Sequence, residues 1–100
     1  MDSQLKKGFL ELLVLASIKF EDSYGYLIVQ EVSKVQDVSE STLYPILKRL
    51  EIQNLVSTYQ TIFNSRIRKY YKITKSGLQK LKESESDFVE MKQIYDYVLR

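Results

Sequence analysis

The chain has 100 residues, 44% hydrophobic and 28% charged, which is room for one domain with a modest core and too apolar for disorder. It has neither cysteine nor histidine, so disulfides, thiolate metal sites and the commonest general base are excluded, and an enzyme would have to rely on a carboxylate pair or an activated lysine. The net charge of +2 is unevenly spread: residues 1–39 sum to −2, residues 40–75 to +5 and residues 76–100 to −1, so a polyanion would dock on the middle third.

In chain order, the first run is LKKGFLELLVLASIKF. Glu11 interrupts it, no small-residue cleavage site follows, and it is too short and too charged to span a bilayer. Neither an export signal nor a membrane anchor is expected, and a cytoplasmic location fits. From about Gln4 to Phe20 the run is helical in character but apolar on two faces. Leu5, Phe9, Leu12, Leu13 and Ala16 form one stripe, and Leu10, Val14 and Ile18 another. A chain of this size can hardly cover both, which calls for a second copy.

The stretch EDSYGYLIVQEVSKV predicts a second helix capped by Asp22 or Ser23, with Leu27, Ile28 and Val32 facing inward and Val35 extending the stripe. In VSESTLYPILKRLEIQNLV, Leu43, Ile46, Leu47 and Leu50 fall at i, i+3, i+4 and i+7, one face of a third helix. The opposite face carries Ser41, Pro45 and Lys48, flanked by Thr42, Tyr44 and Arg49. Ser39 is the expected N-cap. Pro45 then falls near the first turn, where a missing N–H costs least; a cap further back would have it break a helical bond. Asn54 suits the left-handed residue after the helix.

Two runs rich in β-branched and aromatic residues follow, LVSTYQTIF and RIRKYYKIT, with FNSR as the turn between them. In the second strand Ile67, Lys69, Tyr71 and Ile73 share one side, and Arg66, Arg68, Tyr70 and Lys72 the other. Thr74 would cap a last helix from Lys75 to near the C-terminus, about 25 residues and roughly 37 Å long. Along it Leu81, Ser84, Phe88, Met91, Tyr95 and Val98 keep a coiled-coil-like spacing.

Three helices and then a hairpin is the order of a winged helix-turn-helix, mainly α with a small β-hairpin (α+β), here with a C-terminal dimerisation helix. Residues 1–74 form the expected DNA-binding domain, with helix 4–20 also at the dimer interface, and residues 75–100 the dimerisation helix. Hydroxyls and free N–H groups at a helix start suit phosphate oxygens. The expected DNA contacts are Ser39, Ser41, Thr42, Tyr44, Pro45, Lys48 and Arg49 of the third helix, Arg66, Arg68 and Lys69 of the wing, and Tyr24 at the start of the second helix. Arg49 has an alternative in pairing with Glu51 or Glu40, and Tyr24 and Tyr44 in packing. The expected dimer contacts are Leu5, Phe9 and Leu10 of the first helix and Leu81, Phe88, Met91, Tyr95 and Val98 of the last.

The sequence also resembles the PadR-type transcriptional regulators, through LKKGFLELLVLASI, YGYLIVQEV, SESTLYPILKRLEIQNLV and RKYYKITKSGLQKL, which cover nearly the whole chain in order. The resemblance implies a homodimeric repressor on an inverted-repeat, double-stranded DNA operator, with release by a small-molecule inducer or stress; no cofactor or metal is expected. Ser41 and Asn54 stand where the family commonly has glycine. The wing tip is short, and the absence of tryptophan rules out transferring the drug site that some short members build from paired tryptophans. A winged-helix protein-interaction module without DNA binding is the rival reading. An enzyme is not expected: the acids are scattered, and no phosphate loop surrounds Gly8, Gly25 or Gly77.

Overall fold

The Asp2 carboxylate starts the first helix by accepting from the N–H groups of Gln4 (3.0 Å) and Leu5 (3.2 Å), two donors with no partner inside the helix. A computed structural model describes residues 1–100, with element order α1 (Ser3–Ser17), β1 (Ser23–Tyr24), α2 (Gly25–Ser33), α3 (Glu40–Ile52), β2 (Val56–Phe63), β3 (Arg66–Ile73), α4 (Lys75–Glu83) and α5 (Glu85–Val98). Of the two apolar stripes on α1, the one holding Leu10, Val14 and Ile18 is buried in the chain's own core together with Leu15. Leu10, expected at a dimer contact, therefore lies in the chain's own core. The other stripe stays open: Leu5 and Ala16 are exposed, and Phe9, Leu12 and Leu13 half-buried.

The second helix starts later than expected. Tyr24, not Asp22 or Ser23, holds the N-cap position, without a side-chain bond. Ser23 and Tyr24 instead form a short strand pairing antiparallel with β3, Ser23 opposite Tyr71 and Tyr24 opposite Tyr70. Ile28 and Val32 face the core, but Leu27, one position round the helix, is exposed, and α2 ends at Ser33, before Val35 could extend its stripe.

Leu43, Ile46, Leu47 and Leu50 of α3 are all buried. Ser39 is the N-cap, its Oγ accepting from the Thr42 N–H at 3.3 Å. Pro45 is the sixth residue of the helix, in the second turn, so the carbonyl of Ser41 loses its i+4 donor. Both residues are exposed and water can serve that carbonyl. Asn54 takes a left-handed φ of 60°. Leu55 N–H then bonds the Leu50 carbonyl (2.9 Å) and Asn54 N–H that of Glu51 (3.0 Å), a Schellman closure that turns the chain into β2.

Asn64 and Ser65 both have positive φ, 50° and 63°, as a two-residue hairpin turn of primed type requires. The sheet has strand order β1-β3-β2, and Val56 and Tyr71 anchor its inner face to the core. Thr74 ties α4 to the end of α3: its Oγ1 accepts from Gly77 N–H (3.1 Å) and donates to the Asn54 carbonyl (2.7 Å). The expected single last helix is two, α4 and α5, interrupted at Ser84, whose Oγ donates to the Leu81 carbonyl at 2.6 Å. Backbone bonds from Ser84 to Lys80 and from Phe88 to Ser84 carry the ladder across the junction. No residue of α5 is buried, and the molecule is 55 Å along its longest axis.

Candidate nucleic-acid interface

The buried stripe of α3 turns Ser41, Thr42, Tyr44, Pro45 and Lys48 to the surface, where all five are exposed. At the helix start the Ser39 Oγ lies 3.0 Å from both Ser41 Oγ and Thr42 Oγ1. Three hydroxyls and the unpaired N–H groups of the first turn thus gather at one point, a suitable seat for a phosphate oxygen. Lys48, further along this face, makes no ion pair.

Two other cations of the expected set are engaged within the molecule. Arg49 Nη2 lies 2.9 Å from Glu11 Oε1, tying α3 to α1 rather than pairing with Glu51 or Glu40. Glu11 also lies 3.7 Å from Lys80 Nζ of α4. Lys69, on the core side of β3, donates to Glu51 at 3.2 Å, and the other oxygen of Glu51 accepts from Thr58 Oγ1. The hydrogen bond to Glu51 holds the Lys69 ammonium above the usual lysine range. Lys48, Arg66, Arg68 and Lys72 keep their charge unpaired by any carboxylate.

A cleft of about 740 Å³ opens between the start of α2, α3 and the wing, with Tyr24, Tyr26, Tyr44, Arg66, Arg68 and Lys69 on its walls. Gly25 makes room for Tyr44. A Cβ there would stand 2.6 Å from Tyr44 Cε1, so only glycine lets the ring lie across the first turn of α2. Tyr44 is nonetheless 42% exposed: the ring packs and faces the cleft at once. Arg68 sits between two rings, its Cζ 4.1 Å from the centroids of both Tyr24 and Phe63. Behind them Tyr24 meets Tyr70 edge-on at 5.6 Å and Tyr70 stacks on Tyr59 at 5.5 Å. The Tyr59 hydroxyl donates to Asp22 at 2.7 Å, which pushes the phenol above its ordinary range.

This arrangement matches known proteins along its whole length. Residues 14–83 match the transcriptional regulator PadR-like family. The chain belongs to the PadR-like family. A PadR-like transcriptional regulator from Bacillus cereus superposes with a TM-score of 0.86 at 32% identity, covering 98% of each chain. A PadR family transcription regulator from Clostridium difficile gives 0.84 at 27% identity, over 92% of this chain and 99% of that one. A transcriptional regulator of Mycobacterium tuberculosis is 29% identical over 89 residues, 88% of this chain and 83% of its own. The winged-helix, α+β fold is that of PadR-like regulators, and the family's function is transcriptional regulation through DNA, not catalysis.

Some surfaces of this PadR-like regulator carry no mark in the sequence. Lys6 and Lys7 of α1 line a groove with Thr42 and Pro45 on the flank of α3 away from the wing; their charge lies within the net-acidic third of the chain and gives no signal. Phe63 gives none either, since its partner Arg68 lies on the opposing strand. Of the residues expected at a dimer interface, Leu5, Phe88, Met91, Tyr95 and Val98 are exposed, while Leu81 is half-buried against the chain's own core. Phe9 stacks with Phe88 at 6.0 Å, linking α1 to α5. No helix is long and apolar enough to cross a membrane.

Proposed function

We propose that this PadR-like regulator acts as a homodimeric repressor that binds an inverted-repeat operator, with α3 in the major groove and the wing against the neighbouring backbone. The observation that carries this reading is the set of cations unpaired by any carboxylate: Arg66 and Arg68 on the walls of the cleft, and Lys48 on the open face of α3. Ser41, Thr42 and Tyr44 supply hydroxyls beside Lys48, Pro45 fixes the helix surface between them, and Ser39 spends its oxygen mainly on the cap. Arg49 and Lys69 position α3 and the wing through Glu11 and Glu51 rather than meeting DNA first.

Dimerisation uses the open stripe of α1 and the apolar side of α5, where Leu5, Phe88, Met91, Tyr95 and Val98 are exposed and Phe9 is half-buried. Residues 1–74 then bind DNA, while α4 docks on the same core and α5 reaches the second subunit. An inducer would act by changing the spacing of the two α3 helices. The apolar groove of about 310 Å³ beside Phe9, Leu13, Val35 and Phe88 lies where such a change would start.

The test is salt-dependent binding to a duplex that the protein selects from a random-sequence library. A dimer neutralising about 6–10 phosphates loses roughly 10³–10⁵ in affinity between 50 and 200 mM salt. The selected sites should contain two half-sites about 34–36 Å apart, or a multiple of that spacing. A flat salt response, or unchanged binding in both Lys48→Ala and Arg68→Ala, would favour an interaction module that does not touch DNA.

A further inference from the structure

Arg68 is held differently from the other free cations. Its guanidinium lies between Tyr24 and Phe63, with 4.1 Å from Cζ to each ring centroid, whereas Arg66 has no such contact. Both distances lie within cation–π range, an attraction that leaves the guanidinium N–H donors unspent. No carboxylate occupies those donors. The register explains how the rings arrive there. Phe63 lies opposite Arg66, and Arg68 opposite Thr61, so Phe63 is the diagonal neighbour of Arg68 across the hairpin. Tyr24 reaches the same face because β1 pairs it with Tyr70, two residues beyond Arg68. The stack from Tyr24 through Tyr70 and Tyr59 to Asp22 props it from behind. Phe63 has no place in the core and is 51% exposed at the wing tip; its one specific contact is with Arg68.

We infer that Tyr24 and Phe63 are positioning residues that clamp Arg68 and present its N–H edge to a DNA phosphate beside the cleft. A free arginine loses its rotamer freedom when it meets a phosphate; a clamped one has lost it already, so binding gains from preorganisation. The two-residue β1 thereby has a purpose: it brings an aromatic ring from the start of α2 onto the wing. The inference rests on the DNA-binding reading above.

The experiment compares wild type, Phe63→Leu, Phe63→Tyr, Arg68→Ala and the Phe63→Leu/Arg68→Ala double variant on the duplex selected by the wild-type protein. Arg68→Ala should weaken binding and make the log K against log[salt] slope shallower by about 0.9 for each phosphate that is no longer neutralised. Phe63→Leu should cost about two- to fivefold per wing, the worth of an exposed cation–π contact. Phe63→Tyr, which keeps the ring, should bind like wild type. In the Arg68→Ala background Phe63→Leu should cost nothing further, because the group it positions is gone. Phe63→Leu binding at wild-type strength, or an equal loss with Arg68 absent, overturns the clamp alone. Wild-type affinity and slope in Arg68→Ala would remove the wing's DNA contact itself.

Discussion

Replacing Gly77 by alanine tests how α4 is seated on the end of α3. A glycine in a helix normally gains up to about 1 kcal/mol on becoming alanine. Here the sign should reverse. A Cβ at Gly77 would collide with the Leu55 carbonyl oxygen and stand 2.7 Å from Ile73 Cγ1. Neither neighbour is a flexible tip. The Leu55 carbonyl already accepts from Thr74 N–H at 3.1 Å, and the Leu55 N–H closes the α3 terminus on Leu50. Relief therefore requires α4 to lift from the β2–β3 sheet, straining the Thr74 bonds to Asn54 and Gly77. Overpacking of this kind costs about 1–3 kcal/mol, a clash with a backbone oxygen belongs to the upper half of that range, and the propensity gain of up to about 1 kcal/mol offsets part of it. The net loss should be about 1–2 kcal/mol, and at about 4–8 °C per kcal/mol for a domain of this size the Tm should fall by roughly 5–15 °C. Thermal or urea unfolding would be measured at one fixed protein concentration, since any self-association shifts apparent stability. Ser76→Ala, at the exposed neighbouring position, should stay within about 0.5 kcal/mol of wild type. A Gly77→Ala protein as stable as wild type would show that α4 is not pressed against Leu55.

Other substitutions address the remaining parts. Gly25→Ala should cost little stability, because the atom it meets is the end of the Tyr44 side chain, but it should weaken DNA binding several-fold by swinging that ring into the cleft; unchanged affinity would make Tyr44 a packing residue only. Phe88→Asp or Met91→Asp should give monomers by sedimentation and lose the avidity of paired half-sites, and a dimer that persists in both would place the interface elsewhere. Leu43→Ala, at a fully buried position, should cost about 2–5 kcal/mol in urea unfolding; a loss below about 1 kcal/mol would mean the core recloses around the gap. The pKa values of Tyr59, Lys69 and Tyr71 are raised by the Asp22 hydrogen bond, the Glu51 hydrogen bond and burial respectively. Each group holds its proton more tightly folded than unfolded, so the stabilisation is whole below the ordinary values of 10.0 and 10.5 and is lost as pH rises through the raised ones. The unfolding midpoint should fall on that alkaline side, less steeply in Tyr59→Phe; a midpoint rising with pH there would contradict the assigned directions.

What is legible in the sequence is what neighbours along the chain decide. The stripe from Leu43 to Leu50, the Ser39 and Thr74 caps, the left-handed Asn54 and the turn at Asn64–Ser65 each follow from spacing or from one residue's backbone preference. Contacts between distant segments are not legible in this way. Proximity along the chain pairs Arg49 with Glu51 or Glu40, yet it is taken by Glu11, from a helix that the sequence does not place. Asp22 and Ser23 do not cap α2 because Ser23 and Tyr24 find a better partner in β3, some 47 residues on, where Tyr70 and Tyr71 complete their backbone bonding. Leu10 and Leu5 look alike as members of apolar stripes, and only the packing of α1 against α2 and α3 separates core from open surface.

By itself, then, the sequence determined the succession of three helices and a hairpin, the inward face of α3 and the strand that carries the arginines, since periodicity and capping act over a few residues. The tertiary structure decided which cations are free: Lys48, Arg66 and Arg68 remain open, while Arg49 and Lys69 are engaged by acids that only folding brings near. It also set Arg68 between its two rings. Charge is carried by composition, but its availability depends on three-dimensional neighbours, because an ion pair forms at a few ångströms whatever the distance along the chain.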